Sequence, residues 1–308
     1  MISKSDDSNS SHQLTNSELV VCSLLSGAFA GACAKTTIAP LDRTKISFQI
    51  SSERYSARKA WLFLRNTYKY EGFFNLWRGN SATMARIIPY AAAQFTAHEQ
   101  WKKLLRVDSV DHEDSKLRKF LAGSLAGVTS QTLTYPLDLA RARMAVTTKT
   151  QYTNLIHVFV HIKNTEGLSA LYRGYVPTML GIIPYAGTSF CTYGTLKKFY
   201  KDKIGETAPT GMNLIFGAIS GILSQTTSYP LDLVRRRMQT SAITGHRCDS
   251  IISTLVQIYR EGGLFKGCFK GLSMNWIKGP IAVGISFATY DHVKETLKVL
   301  VLKTKTVL

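Results

Sequence analysis

The sequence contains no CxxC pair. Its five cysteines (Cys22, Cys33, Cys191, Cys248 and Cys268) are scattered, which excludes a zinc ribbon, a thioredoxin-type dithiol and a disulfide framework, and leaves free thiols. Acidic residues are scarce, 20 against 38 lysines and arginines in 308 residues, so the formal net charge is +18 and an anionic partner is expected. Nucleic acid, anionic lipid and an anionic solute all satisfy that. Residues 1–18 have neither the apolar core of a secretory signal nor the acid-poor composition of a transit peptide, since they carry Asp6, Asp7 and Glu18; a targeting signal is expected inside the chain. The seven histidines (His12, His98, His112, His157, His161, His246 and His292) are read as forming no cluster, and no HExxH, phosphate-loop or Ser/His/Asp arrangement stands out. Neither an enzyme, nor a metal site, nor a cofactor is therefore expected. A basic stripe is missing as well: lysines and arginines punctuate apolar segments, which argues against a nucleic-acid-binding module.

Long purely hydrophobic runs are also absent. Several of the uncharged segments 19–34, 120–137, 174–196, 208–231 and 279–290 approach the roughly 20 residues a membrane helix needs, yet all are interspersed with Gly, Ser or Thr. A soluble helical core and a set of helices with one lipid face and one packed face both fit that composition.

What is present is a repeat. Pro40-Leu41-Asp42, Pro136-Leu137-Asp138 and Pro230-Leu231-Asp232 recur at a period of about 95 residues, longer than a solenoid unit. Each is followed by a Glu-Gly pair (Glu71-Gly72, Glu166-Gly167, Glu261-Gly262). An aromatic-basic-Gly triplet comes next: Trp77-Arg78-Gly79, Tyr172-Arg173-Gly174 and Phe269-Lys270-Gly271. A second proline then follows, at Pro89, Pro184 and Pro280, so six of the eight prolines lie on one threefold lattice. Gly27/Gly31, Gly123/Gly127 and Gly217/Gly221 precede each first proline in register and predict close helix approach. Each repeat predicts a long helix bent at its proline, a short amphipathic surface helix and a second long helix. The apolar spacing of the surface helices is Trp61, Leu64, Tyr68; Leu155, Phe159, Ile162; and Ile251, Leu255, Ile258. The third repeat has two extra residues between Glu261-Gly262 and its triplet, which predicts a local difference there.

This pattern resembles the mitochondrial carrier family over nearly the whole chain. The resemblance implies an all-α membrane protein with six transmembrane helices in three pseudo-threefold repeats and three short matrix-side amphipathic helices, located as a multi-pass monomer in the mitochondrial inner membrane. The boundaries follow as a polar tail 1–17, carrier repeats 18–106, 116–203 and 210–298, and a tail 299–308.

Asp42, Asp138 and Asp232 each stand three residues before a base, Lys45, Arg141 and Arg235 respectively. A local bridge within one helix is open to each. The family resemblance implies instead a matrix gate in which Asp42 pairs with Arg141, Asp138 with Arg235 and Asp232 with Lys45, braced by Gln49 and Gln239, with Ala145 at the equivalent place in repeat 2. It implies a second, cytoplasmic gate from Glu99, Lys102, Lys197, Asp291 and Lys294. Gly194 replaces an acid there, so Lys102 is expected to lack a partner, Lys197 to take Asp291 and Lys294 to take Glu99, making the outer gate the weaker.

Between the gates, Arg86, the pair Gly181-Ile182 and Lys278 fall at matching places near the second prolines. Two cations and one small apolar pair suit a phosphorylated planar ring. The resemblance implies that Gly181-Ile182 receives an adenine with Tyr185 stacked on it, and that Arg86, Lys278, Lys35 and Arg236 take phosphates. Arg86 and Lys278 are read as unpaired intramembrane cations kept for substrate. Arg235-Arg236-Arg237 continues as Met238-Gln239, unlike the Met-Met-Met run of the family's ADP/ATP exchangers, and residues 1–18 are too short for a calcium-binding domain. Residues 271–287, 181–187 and 86–90 resemble family members that carry coenzyme A. The implied activity is exchange of coenzyme A and dephospho-coenzyme A for adenine nucleotides such as ADP or adenosine 3′,5′-diphosphate, with membrane lipid, cardiolipin included, as a further partner. A carrier of ATP, ADP or phosphate without coenzyme A, and a proton-leak carrier, stay open as alternatives.

Overall fold

The computed structural model describes residues 15–307 apart from 52, 54, 108–111, 207, 246, 247 and 249. Most of the polar tail 1–17, with His12, and also His246 thus lie outside the described residues. Among these residues the chain is helical, in the order α1 (Asn16–Ile50), α2 (Ala57–Asn66), α3 (Asn80–Leu104), α4 (His112–Val146), α5 (Leu155–Thr165), α6 (Tyr175–Ile204), α7 (Thr210–Thr244), α8 (Ile251–Cys268) and α9 (Leu272–Val307). The expected long, short, long pattern therefore occurs three times. Helix α9 continues to Val307, so the segment expected as a separate tail from 299 is an extension of the last helix.

The shortest of the six long helices, α3, has 25 residues. At 1.5 Å per residue that is roughly 37 Å, enough to cross a hydrocarbon core of about 30 Å. Among the described residues α1 alone is apolar enough to qualify by composition. The other long helices tolerate their polar residues because hydroxyls return to carbonyls one turn back, as in Ser124 to Phe120 O (2.8 Å), Thr132 to Val128 O (2.8 Å) and Thr226 to Ile222 O (2.8 Å). Phe95, Leu133, Phe190 and Leu214 stand exposed, as a lipid surround favours. All six lattice prolines lie inside these helices.

The chain divides into two compact bodies. One comprises α1 up to Ile38 and α9 from Lys278 onward. The other runs from Ala39 to Ile277. In it α3 packs on α4, α6 on α7, and α4 touches α7. Leu139 and Met144 of α4 meet Val158 and Ile162 of α5 in one buried cluster, and Leu233 and Val234 of α7 meet Ile258 of α8 in another. The surface helices of repeats 2 and 3 thus bury part of the face their spacing predicts. Helix α2 does not: Trp61 is 69% and Tyr68 59% exposed, while Ala60 is buried. Edge-on contacts of Phe48 with Tyr55 and Phe63 bring aromatic rings from either side of the α1–α2 turn together instead.

The glycine pairs ahead of each first proline depart from expectation. A Cβ at Gly27, Gly31, Gly123, Gly127, Gly217 or Gly221 would meet no described atom within 4 Å. Close approach occurs instead at the triplet glycines. Gly174 starts α6 at φ +83°, and a Cβ there would stand 3.0 Å from Tyr135 Oη and 3.1 Å from the Arg235 carbonyl. In the third repeat the turn after Glu261 falls at Gly263 (φ +70°) and not at the glycine directly following the glutamate, as it does in repeats 1 and 2. One extra residue delays that turn and the other lengthens the stretch before Phe269. Gly262 and Gly267 let the two halves of this kink touch, because a Cβ on Gly262 would lie 2.8 Å from Gly267 Cα.

Gly174→Ala should cost about 3 kcal/mol, through a left-handed backbone and a clash together. Gly205→Ala, at φ +79° with nothing within 4 Å, should cost only about 1 kcal/mol. Melting temperatures of the two variants in detergent check this, and equal losses would show that the close approach is unimportant.

Candidate transport site and gates

Three acid-base pairs run from repeat to repeat in the larger body. Asp42 takes Arg141, Asp138 takes Arg235, and Asp232 takes Lys45, whose Nζ is 2.8 Å from Asp232 Oδ2. Each base thus pairs across repeats, and the three pairs close a cycle. Asp42 and Asp138 are 6% and 2% exposed, so their charges depend on these partners. Gln239 Nε2 donates to Asp138 Oδ2 at 2.9 Å and to Tyr135 Oη at 3.1 Å; Gln49 Nε2 donates to Asp232 Oδ2 at 3.2 Å and to Tyr229 Oη at 3.3 Å. Ala145 supplies no such amide for the Asp42 pair.

Sequence reasoning missed the tyrosines. Each of them precedes a lattice proline, and its hydroxyl donates onward to the carbonyl of the triplet base, Tyr135 to Arg173 O (2.9 Å) and Tyr229 to Lys270 O. Tyr-Pro in two repeats against Ala39-Pro40 in the first was the available signal. It also missed the partner of each Glu-Gly motif: Glu71 binds Arg43, Glu166 binds Arg143 and Glu261 binds Arg237. Arg43 Nε and Arg143 Nε then reach the next repeat's first helix, at Ala145 O and Gln239 O, both at 3.1 Å. Two of the triplet bases reach the segment just beyond that helix, Arg78 Nη2 to Thr148 O at 2.6 Å and to Tyr152 O at 2.7 Å, and Lys270 Nζ to Ser51 O. Burial, with the nearby charge of Arg237, lowers the Lys270 pKa to about 8.

Arg86 is not an unpaired cation. On α3, with its guanidinium 4.9 Å above the Tyr90 ring, it donates to Gln131 Oε1 (2.5 Å) and Thr134 Oγ1 (3.2 Å) of α4 and stands 3.5 Å from Asp138 Oδ1. Arg236 also approaches Asp138, at 3.9 Å, and donates to Gln239 Oε1 at 2.9 Å. Asp138 therefore serves three guanidiniums, because a single buried carboxylate is the nearest counter-charge for all of them. The cations Lys45, Arg86, Arg141, Arg235 and Arg236 face the carboxylates Asp42, Asp138 and Asp232, which leaves two positive charges over. Such an excess, withdrawn from water, attracts an anion.

Gly181 lies against α7, where a Cβ would touch Leu231 at 3.7 Å, and Ile182 and Tyr185 are 43% and 42% exposed. Lys35 and Lys278 belong to the smaller body, Lys35 exposed and Lys278 half-buried. At the far ends of the second helices, Lys102 does not lack a partner: its Nζ is 3.8 Å from Glu99 of its own helix, since positions three apart share a face. Lys294 Nζ lies 5.2 Å over the Tyr290 ring, and Lys197 and Asp291 are exposed. The histidines are not all scattered either. His157 and His161, one turn apart on α5, have ring centroids 6.1 Å apart. A backbone N–H of Thr153 donates to His157 Nδ1, and no group of three or more metal-binding residues occurs among the described residues.

Six long helices in three repeats, each with an internal proline, and ion pairs that run from repeat to repeat define the architecture of a membrane carrier. The family described as Mitochondrial carrier protein matches residues 16–109, 112–204 and 206–299, and the chain belongs to it. It is accordingly a multi-pass protein of the mitochondrial inner membrane. Two relatives named mitochondrial coenzyme A transporter SLC25A42 are similar throughout. The Xenopus laevis protein is 57% identical over 289 residues, covering 92% of this chain and 88% of the relative, and the human protein is 55% identical over 286 residues, covering 91% and 89%. Solute carrier family 25 member 16 of Bos taurus is 39% identical, over 89% of this chain and 88% of its own length.

Breaking a buried pair should cost about 3–5 kcal/mol. Exchanging the partners, as Asp232→Lys with Lys45→Asp, should restore most of the stability. The exchange Asp138→Lys with Arg235→Asp should restore less, because an ammonium in place of the Asp138 carboxylate would stand among the remaining arginines. Melting curves of the single and double variants distinguish the two. Lys270 gives a pH test. Its folded pKa near 8 lies below the ordinary 10.5, so between those values the unfolded chain holds more protons and stability rises with pH. The melting temperature of the protein minus that of Lys270→Met should increase from about pH 7.5 to about pH 9.5; a flat difference would contradict the depressed pKa.

Proposed function

We propose that the protein exchanges coenzyme A, and dephospho-coenzyme A, for adenine nucleotides such as ADP or adenosine 3′,5′-diphosphate. The observation that carries this reading is the cluster of three partly buried arginines around the single carboxylate of Asp138, in a chain more than half identical to named coenzyme A transporters. Coenzyme A bears a diphosphate and a separate 3′-phosphate. Arg86, Arg236, Lys278 and Lys35 are the side chains assigned to these phosphates. Gly181, Ile182 and Tyr185 offer a flat apolar surface for the adenine.

In this reading the pairs of Asp42, Asp138 and Asp232 form the matrix gate, with Gln49 and Gln239 as braces. Glu99, Lys102, Lys197, Asp291 and Lys294 form the cytoplasmic gate. Two gates that are not closed together give alternating access. The anion shifts the balance only through contacts that differ between the states, and drawing Arg86 and Arg236 away from Asp138 is one such difference. The carrier works as a monomer, and cardiolipin binds near the basic triplets at the starts of the second helices. A carrier of ATP, ADP or phosphate that does not take coenzyme A would use the same arginines.

The deciding experiment is uptake of labelled coenzyme A, ADP and phosphate into liposomes loaded with unlabelled coenzyme A. Coenzyme A uptake should be saturable and should fall at least about tenfold in Arg86→Ala and in Lys278→Ala. Uptake of phosphate or ADP without coenzyme A would select the alternative.

A further inference from the structure

We propose that Gln131 is a cargo-recognition residue which, beside Arg86, donates to one phosphate of the transported anion; the inference rests on the function put forward above. Gln131, Thr134 and Asp138 fall at i, i+3 and i+7 along α4, and all three meet Arg86 of α3. A guanidinium has donors only, so the Gln131 atom that faces Arg86 Nη2 at 2.5 Å is the amide oxygen, and the amide cannot be turned over. That orientation directs Nε2 away from Arg86. Nε2 is buried there without a hydrogen-bond partner among the described residues, in a side chain whose residue is only 9% exposed.

A buried N–H with no acceptor is costly, and folded proteins leave few of them. A transporter has a second state in which such a donor can be satisfied, and cargo shifts the two states only by contacts that differ between them. The acceptor comes with Arg86. Its contact with Asp138 is its loosest, at 3.5 Å, and a phosphate oxygen taken by the freed guanidinium arrives next to the Gln131 amide. The repeat supports the same assignment independently. Gln131 stands five residues before Pro136, Lys35 five before Pro40 and Gln225 five before Pro230, so one repeat position carries an N–H donor three times. Lys35 is already read as a phosphate contact. A residue that merely oriented Arg86 would need only the oxygen, and glutamate would then serve as well.

The test compares Gln131→Met, nearly isosteric and without a donor, with Gln131→Glu, which keeps the acceptor for Arg86 and loses the donor. In liposomes the KM for coenzyme A should rise about tenfold or more in both, with the maximal rate of Gln131→Met within about twofold of the unaltered protein. A KM within about twofold of the unaltered protein in Gln131→Met, or a raised KM there with an ordinary one in Gln131→Glu, would overturn the proposal. If the unaltered protein takes up no coenzyme A, the functional reading fails on its own. The same KM comparison with labelled ADP or phosphate then decides Gln131 separately.

Discussion

A carboxylate withdrawn from water must have a cation at hydrogen-bond distance, because the loss of hydration otherwise exceeds anything packing returns. Asp138, 2% exposed, shows how far that requirement reaches in this protein. It fixes Arg235 across the repeat boundary, holds Gln239 and through it Tyr135, and draws in Arg86 and Arg236. Tyr135 then reaches Arg173 O beside Gly174, whose missing side chain allows the contact. One ion pair thereby ties together α3, α4, α6 and α7. Replacing such groups by apolar residues could give an equally stable core. A core of that kind would have no reason to separate when an anion arrives.

Competition follows from the same arrangement. The cations nearest to Asp138 outnumber it, so the cluster is satisfied only partly by its own carboxylates. An anionic cargo enters as a rival for arginines that the protein already uses. Binding and loosening are then one event, with no separate signal to carry between them. The repeats are not equal in this respect. The pairs of Asp138 and Asp232 each have a glutamine and a tyrosine beneath them, whereas the Asp42 pair has Ala145 and Ala39 at the corresponding positions. The boundary between repeats 1 and 2 is held instead by Arg43 and Arg78, which grip backbone carbonyls of repeat 2.

Motif spacing made much of the molecule readable. Threefold prolines, Glu-Gly pairs and aromatic-basic-Gly triplets gave the number and order of helices, because a proline bend and a left-handed glycine are local demands that the chain states outright. The extra residues after Glu261 likewise announced the altered turn that falls at Gly263. Partnerships were harder to read. Lys102 and Glu99 pair within one helix although the repeat pattern pointed elsewhere, and the surface helix of repeat 1 leaves Trp61 exposed although its spacing matches that of a packing face. His157 and His161 stand at an i, i+4 spacing that is plain in the sequence.

By itself the sequence determined the periodic features: where the prolines enter the long helices, and which positions are equivalent in the three repeats. Those follow from backbone geometry and from residue type, and neither needs a neighbour. The pairs of Asp42, Asp138 and Asp232 across the repeats are those the family resemblance implied. Only the tertiary structure decided that Glu71, Glu166 and Glu261 belong to Arg43, Arg143 and Arg237, and that Arg86 is shared between Gln131, Thr134 and Asp138. A Coulombic or hydrogen-bonding partner is chosen by distance in space, over separations of up to 219 residues along this chain, and no local pattern encodes that distance.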